Sequence, residues 1–175
     1  MRTLLPDPPP APFEELLRRR RETGADRHDE VWEGVLHMAP AAHGRHSLIQ
    51  HQLAVLLDGP ARVAGLQPAI AEFNLGDPDD YRVPDGGLHR PGPSLLYYPS
   101  AALVVEIVSR GDETWEKFPF YAAHGVDELL IVDPLERAVH WFALRDGDYG
   151  SVDRSTLIEC GPGALVERLE WPAGD

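Results

Sequence analysis

The chain has 175 residues, the length of one domain, and 43% of them are hydrophobic, which suits a folded core and excludes a globally disordered protein. Its 29 acidic and 16 basic residues give a formal net charge of −13, which excludes a protein that coats nucleic acid by broad electrostatic attraction. We expect neither a membrane-spanning helix nor a signal peptide. The single cysteine excludes an intrachain disulfide and is typical of a reducing, cytoplasmic setting.

The N-terminal residues predict an extended leader and then a helix. Five prolines lie within residues 1–12, which favours an extended segment there. Residues 13–22 predict a short helix, because glutamates and arginines recur in them at the i,i+4 spacing of helical ion pairs. The rest of the chain, residues 13–175, is expected to form a single domain.

The next part of the chain predicts a hairpin and a longer helix. Residues 28–40 predict two strands around a turn at Glu33 and Gly34. Leucine and isoleucine recur at helical spacing over residues 44–57. The Asp-Gly-Pro sequence at residues 58–60 is expected to end that helix.

The remaining elements are mostly strands. Residues 101–108 are nearly all apolar, which is typical of a strand buried on both faces. In chain order, we expect strands at 61–75 and 81–89, the buried strand at 101–108, a helix at 112–124, a second buried strand at 128–133, a hairpin over 138–152, and short β segments to about residue 169.

One charge interrupts the buried strand. Glu106 lies among valines and isoleucine, and an ionised carboxylate is costly to bury unless it is paired or bound to a metal. An ordinary salt bridge to an arginine would also satisfy it. Glu106 alone therefore leaves a structural ion pair and a functional site as open alternatives.

A second carboxylate lies at a bend. Asp85 follows Pro84 and precedes two glycines, a sequence that interrupts a strand and can re-aim a side chain beside a site. A simple turn residue is the alternative, since the Pro-Asp dipeptide also occurs at residues 6–7 and 78–79.

The third candidate is Lys117, the only lysine among sixteen basic residues. A lysine carries a compact ammonium that arginine cannot replace. A strand that leads into a helix can bring Glu106 and Lys117 to one end of a sheet. Two carboxylates and a lysine there would suit Mg²⁺-assisted hydrolysis of a phosphodiester, because hard cations prefer oxygen ligands.

Four blocks of sequence carry a family resemblance over roughly residues 30 to 145. They are residues 32–40 (WEGVLHMAP), 43–46 (HGRH), 81–85 (YRVPD) and 103–109 (LVVEIVS), the last continuing through Lys117, Tyr121 and residues 130–134 (LIVDP). In order and spacing they resemble the Uma-two family of nucleases, which belongs to the PD-(D/E)XK restriction-endonuclease-like superfamily.

The resemblance implies an α+β (α/β) fold with a restriction-endonuclease-like core, a mixed β-sheet flanked by helices, and added β-hairpins. It implies an Mg²⁺ (or Mn²⁺) site formed by Asp85, Glu106 and the backbone carbonyl of Ile107, with Lys117 as the catalytic lysine. It also implies a nucleic-acid substrate, expected to be DNA, and makes a homodimer plausible. His43, Glu72 and Tyr121 are possible auxiliary residues at the same cleft.

The sequence departs from the superfamily pattern in one place. The simplest pattern has a lysine two residues after the acidic residue, and here that place holds Val108, so the resemblance moves the role to Lys117. Pro119 would disturb the helix unless the helix starts near Lys117.

Two other functions stay open. The net charge of −13 and Val108 also fit a non-catalytic binding or assembly protein on a nuclease-like scaffold. A transition-metal site formed by His43, His46 and His51 near the start of a helix is the other alternative.

Overall fold

A computed structural model describes residues 11–39, 44–69, 71–109, 111 and 113–172. This part of the chain forms four α-helices, eleven strands and one 3₁₀ turn, Trp115–Lys117. The helices are α1 (Ala11–Thr23), α2 (Gly44–Val63), α3 (Phe118–Ala123) and α4 (Pro162–Arg168). In this same part, no helix combines the length and the apolar character needed to cross a membrane.

The strands form two sheets. They are β1 (Glu30–Trp32), β2 (Val35–His37), β3 (Gln67–Ala69), β4 (Asn74–Asp77), β5 (Asp80–Arg82), β6 (Gly86–His89), β7 (Tyr97–Tyr98), β8 (Leu103–Ile107), β9 (Glu128–Asp133), β10 (Ala138–Arg145) and β11 (Asp148–Ser151). The five-stranded sheet has the order β2-β1-β5-β4-β7, and the six-stranded sheet has the order β11-β10-β9-β8-β6-β3. Both are mixed, because β4 pairs with β7 and β8 with β9 in parallel. The expected α+β fold is confirmed.

Strand β8 lies between two apolar layers, as its sequence predicts. Leu103, Val105 and Ile107 pack in one cluster with the buried face of α2. Val104 packs in a second cluster with Phe120 and other residues around α3. Since successive side chains of a strand point to opposite faces, Glu106 belongs to the face that Val104 shares with α3.

The predicted hairpin is confirmed. Strands β1 and β2 pair from Glu30 opposite His37 to Trp32 opposite Val35. The two turn residues, Glu33 and Gly34, both have positive φ angles, which is typical of a type I′ turn.

Helix α2 does not end at residues 58–60 as predicted. It continues to Val63, with Pro60 inside its last turn. Ala61 is fully buried, one helical repeat beyond the buried Leu57. Burial on this face favours the continuation of the helix past Pro60, which cannot make the backbone hydrogen bond. The strand predicted over 61–75 is therefore wrong over its first residues, and the described residues of this range form no strand other than β3 and the start of β4.

The strand predicted over residues 81–89 is in fact two strands in different sheets. Strand β5 pairs with β1 and β4 in the five-stranded sheet, whereas β6 pairs with β3 and β8 in the six-stranded sheet. Residues 83–85 cross from one sheet to the other, and Pro84 explains why no strand continues through them. Asp85 therefore lies at the junction of the two sheets.

Two later predictions also need correction. The helix predicted over 112–124 is a 3₁₀ turn followed by α3, and Pro119 lies in the first turn of α3, where proline is tolerated. Gly125 follows with a positive φ angle, as expected for a helix stop. The β segments expected up to residue 169 are wrong, since Pro162–Arg168 forms α4, which buries Leu165 in the core.

A buried carboxylate supports this C-terminal part of the fold. Glu128 is fully buried, and it accepts hydrogen bonds from the Trp141 indole, the Ser155 hydroxyl, and both the amide and the hydroxyl of Thr156. These bonds join β9, β10 and the loop before α4. Buried networks of this kind are costly to break.

We predict that Glu128→Gln lowers the free energy of unfolding by about 3 kcal/mol. The NH₂ group of glutamine would face groups that also donate hydrogen bonds, so at least one of these bonds would be lost. Urea denaturation measures the loss. The matched control is Glu159→Gln, which removes an exposed ion pair to Arg154 and should cost less than about 1 kcal/mol. Equal losses in the two variants would contradict this role of Glu128.

Candidate active site

The candidate site lies where the two sheets meet, beside the start of α3. Asp85 comes from the crossing segment between β5 and β6, and Glu106 comes from β8. Lys117 ends the 3₁₀ turn before α3. Helix α2 and strand β1 add further polar side chains. Residues that are far apart in the sequence therefore face one small volume.

Asp85 is fixed to the strand that carries Glu106. Its Oδ2 accepts a hydrogen bond of 2.6 Å from the backbone amide of Ile107. Its Oδ1 lies 2.9 Å from Nε2 of His46, on the first turn of α2. Both carboxylate oxygens are thus oriented, and Asp85 lies immediately next to the backbone of Glu106.

Glu106 is 3% exposed, and its partners converge on one oxygen. Oε1 accepts a hydrogen bond of 3.0 Å from Nζ of Lys117 and another from the hydroxyl of Tyr121. Burial, together with the charges of Asp85 and Glu30, raises the pKa of Glu106 to about 8, although Lys117 and Tyr121 oppose the rise. Three carboxyl groups, those of Glu30, Asp85 and Glu106, thus lie around the single ammonium of Lys117.

Lys117 pairs with two carboxylates rather than one. Its Nζ lies 2.8 Å from Oε1 of Glu30 and 3.0 Å from Oε1 of Glu106. Burial disfavours the charged ammonium, but the two carboxylates outweigh burial and raise the pKa of Lys117. The ammonium stays protonated and holds β1 and β8 to the same point.

Glu30 was not predicted from the sequence. It is 7% exposed, and besides Lys117 it accepts hydrogen bonds from the backbone amide of Val83 at 2.8 Å and from the indole of Trp32 at 2.6 Å. The bond to Val83 holds the crossing segment two residues before Asp85. Glu30 therefore positions both Lys117 and the segment that presents Asp85.

Helix α2 contributes His46, which the sequence analysis named only as a ligand of the alternative transition-metal site, and Gln50, which it did not single out. Burial opposes protonation of His46, but its hydrogen bond to Asp85 and the nearby carboxylates outweigh burial and raise its pKa. The Gln50 amide nitrogen donates to the backbone carbonyl of Asp85 at 2.8 Å and to Oε1 of Glu72 at 3.2 Å. His46 and Gln50 are four residues apart and therefore lie on one face of α2. This spacing is the sequence signal that could have assigned both residues to one site.

The predicted auxiliary residues have different positions. Tyr121 is fully buried and contacts Glu106 directly, so it serves both the core and the site. Glu72 is exposed and contacts the site through Gln50. His43 lies outside the described residues. Of the histidines in the alternative metal site, His46 binds Asp85 and His51 is exposed, so these two do not form a site of their own.

The donor chemistry of this cluster fits a hard divalent cation. Asp85 and Glu106 supply carboxylate oxygens, and Asp85 binds the backbone of the residue that follows Glu106. No group of three or more His, Cys, Asp or Glu side chains in the described part of the chain is arranged to hold a metal ion. Two carboxylates match Mg²⁺, which keeps several of its waters when it binds a protein.

We predict that Glu30→Gln lowers the free energy of unfolding by about 2 kcal/mol, because Lys117 and the amide of Val83 then lose a charged partner. Chemical denaturation measures the change. Glu33→Gln, three residues away on the same hairpin and exposed, should change the free energy by less than about 0.5 kcal/mol. A neutral Glu30→Gln variant would show that Glu30 does not support the site.

Comparison with known proteins places this arrangement in a family. No curated protein matches the chain. A crystal structure described as a putative nuclease belonging to DUF820 from Anabaena variabilis has a TM-score of 0.61 and 18% sequence identity, over 79% of this chain and 84% of that chain. The fold is therefore restriction-endonuclease-like. Residues 13–160 match the model of the Uma2 family, described as a putative restriction endonuclease, and the chain belongs to this family.

Proposed function

We propose that the chain is a divalent-metal-dependent nuclease that hydrolyses phosphodiester bonds, with Asp85, Glu106 and the backbone carbonyl of Ile107 holding Mg²⁺ or Mn²⁺ and Lys117 as the catalytic lysine. The observation that carries the proposal is the contact between these residues where the two sheets meet. Asp85 accepts a hydrogen bond from the residue after Glu106, and Glu106 binds Lys117. Membership of the family supports the same reaction.

Each side chain has a role that its contacts support. The Ile107 amide and His46 orient Asp85, and Tyr121 orients Glu106. The bound cation would polarise a phosphate oxygen and lower the pKa of a bound water. Lys117 keeps a positive charge and can stabilise the negative charge that develops on the phosphate.

The family description, a restriction endonuclease, supports DNA as the substrate. A homodimer and a cytoplasmic location stay predictions from the sequence.

A non-catalytic scaffold is the rival hypothesis, and one observation favours it. Asp85 and Glu106 are already engaged by His46, Lys117 and Tyr121, so a cation would have to compete with these partners. In such a protein the same residues would form a stable cluster of ion pairs and would bind no metal. Measuring cleavage and metal binding separately distinguishes the two hypotheses.

We predict that Asp85→Asn lowers Mg²⁺- or Mn²⁺-dependent cleavage of DNA on the order of 100-fold or more, because a neutral amide is a weaker cation ligand. A gel assay on labelled DNA measures the rate. Asp79→Asn is the matched control, since Asp79 also follows a proline but is exposed in the turn between β4 and β5. Thermal melting of both variants verifies that they fold. Unchanged cleavage by Asp85→Asn would exclude Asp85 from the site.

We predict that the unaltered chain binds Mn²⁺ in calorimetry and that Glu106→Gln weakens this binding at least about tenfold, since one of two carboxylate ligands loses its charge. Glu116→Gln, on the exposed face of the 3₁₀ turn, should bind Mn²⁺ as the unaltered chain does. Absence of Mn²⁺ binding in the unaltered chain would support the non-catalytic scaffold.

A further inference from the structure

A cavity of about 430 Å³ adjoins the candidate site. Glu72 and Val83 both line it. Val83 lies two residues before Asp85, and the Gln50 amide bridges Glu72 to the backbone of Asp85. The cavity therefore adjoins the segment that carries Asp85, and the hydrolysis described above does not use it. Its volume lies within the range of about 300–1,000 Å³ that is usual for small organic ligands.

Three aromatic rings form one wall of this cavity. His89 lies 4.3 Å from Tyr98 between ring centroids, and 4.6 Å from Phe73 in an edge-to-face arrangement. Phe73 and Tyr98 are half-buried, so each keeps part of its surface open. A flat aromatic ligand can stack on such surfaces.

His89 has an unmet hydrogen-bonding requirement. It is 6% exposed, and its Nε2 has no hydrogen-bond partner within the described residues. Burial lowers the pKa of His89 and so favours the neutral ring, in which one nitrogen can accept a hydrogen bond. Unpartnered buried polar groups of this kind are rare in folded proteins.

The rest of the lining adds charged and polar groups. Glu72 offers a carboxylate that can accept a hydrogen bond from an exocyclic amino group. Asn74 donates its amide to the carbonyl of Leu96 at 3.0 Å, and its own carbonyl oxygen can act as an acceptor. Arg27 is exposed at the cavity, where a guanidinium suits a phosphate of the nucleic-acid backbone.

We infer that this cavity binds one unpaired nucleobase of the strand that is cut, which rests on the proposed nuclease function. A nucleobase has both features that the lining calls for, a flat π surface and an edge of hydrogen-bond donors and acceptors. In a duplex, the π surface of each base is already stacked on neighbouring bases, and its hydrogen-bonding edge is already paired with the opposite strand. The enzyme therefore acts on single-stranded DNA or on a base turned out of the duplex.

This inference accounts for binding by a chain of net charge −13. Such a chain gains little from attraction to the phosphates over its surface as a whole. Base stacking does not depend on that attraction, and it contributes appreciably for each base that is bound. One base stacked in the cavity and one phosphate at the proposed cation site would hold the strand at two points.

The test measures binding without cleavage, by fluorescence anisotropy of a labelled oligonucleotide in buffer with Ca²⁺ in place of Mg²⁺. The unaltered protein should bind the single strand about tenfold more tightly than the blunt duplex of the same sequence. A single strand that carries abasic sites should also bind about tenfold more weakly than the intact strand. Equal binding of all three, or no binding of any, would overturn the inference.

The variant Tyr98→Leu removes one ring of the cavity and should weaken binding of the single strand about tenfold. The matched control is Tyr97→Leu, because Tyr97 is the other residue of strand β7 and packs against Tyr81, away from the cavity. Equal losses in the two variants would overturn the inference. The comparison with abasic strands leaves the protein unaltered, so it decides the matter even if Tyr98→Leu does not fold.

The outcomes separate this inference from the proposed function. Tyr98-dependent binding of single strands without cleavage in Mg²⁺ or Mn²⁺ would support the base site and contradict the nuclease. Cleavage that requires Asp85, together with equal binding of intact and abasic strands, would support the nuclease and overturn the base site.

Discussion

A single buried ammonium holds the candidate site together. Lys117 lies 2.8 Å from Glu30 and 3.0 Å from Glu106, and the two carboxylates come from different sheets. None of these charges would be tolerated alone in such a buried place. Because each requires the others, the five-stranded sheet, the six-stranded sheet and the start of α3 are fixed relative to one another at this point.

The same network determines how the chain crosses between the sheets. The Glu30 oxygen that binds Lys117 also accepts a hydrogen bond from the amide of Val83. Two residues later, the carboxylate of Asp85 accepts a hydrogen bond from the amide of Ile107. The crossing segment is therefore held at both ends by carboxylates. The cluster combines structural and proposed catalytic roles, and substitutions in it are expected to affect stability and activity together.

Sequence patterns predict features that depend on neighbours in the chain. The charge within an apolar strand identified Glu106, and Glu33-Gly34 identified the turn of the hairpin. The end of α2 was predicted wrongly because burial of Ala61 outweighs the local effect of Pro60. The change of sheet before Asp85 and the role of Glu30 depend on contacts between distant segments, which no local pattern reveals. The roles predicted for Asp85, as a metal ligand, and for Lys117, as the catalytic lysine, came from a family resemblance rather than from physical chemistry alone.

The pairing of Glu30 with Lys117 also has a consequence for protein synthesis. Ribosomes release the hairpin that carries Glu30 long before they release the turn that carries Lys117, and Glu106 emerges between the two. A nascent chain therefore exposes first Glu30 and then Glu106 without their counter-ion until Lys117 has also emerged. The cluster forms by long-range contact late in folding, so incomplete chains do not contain an assembled site.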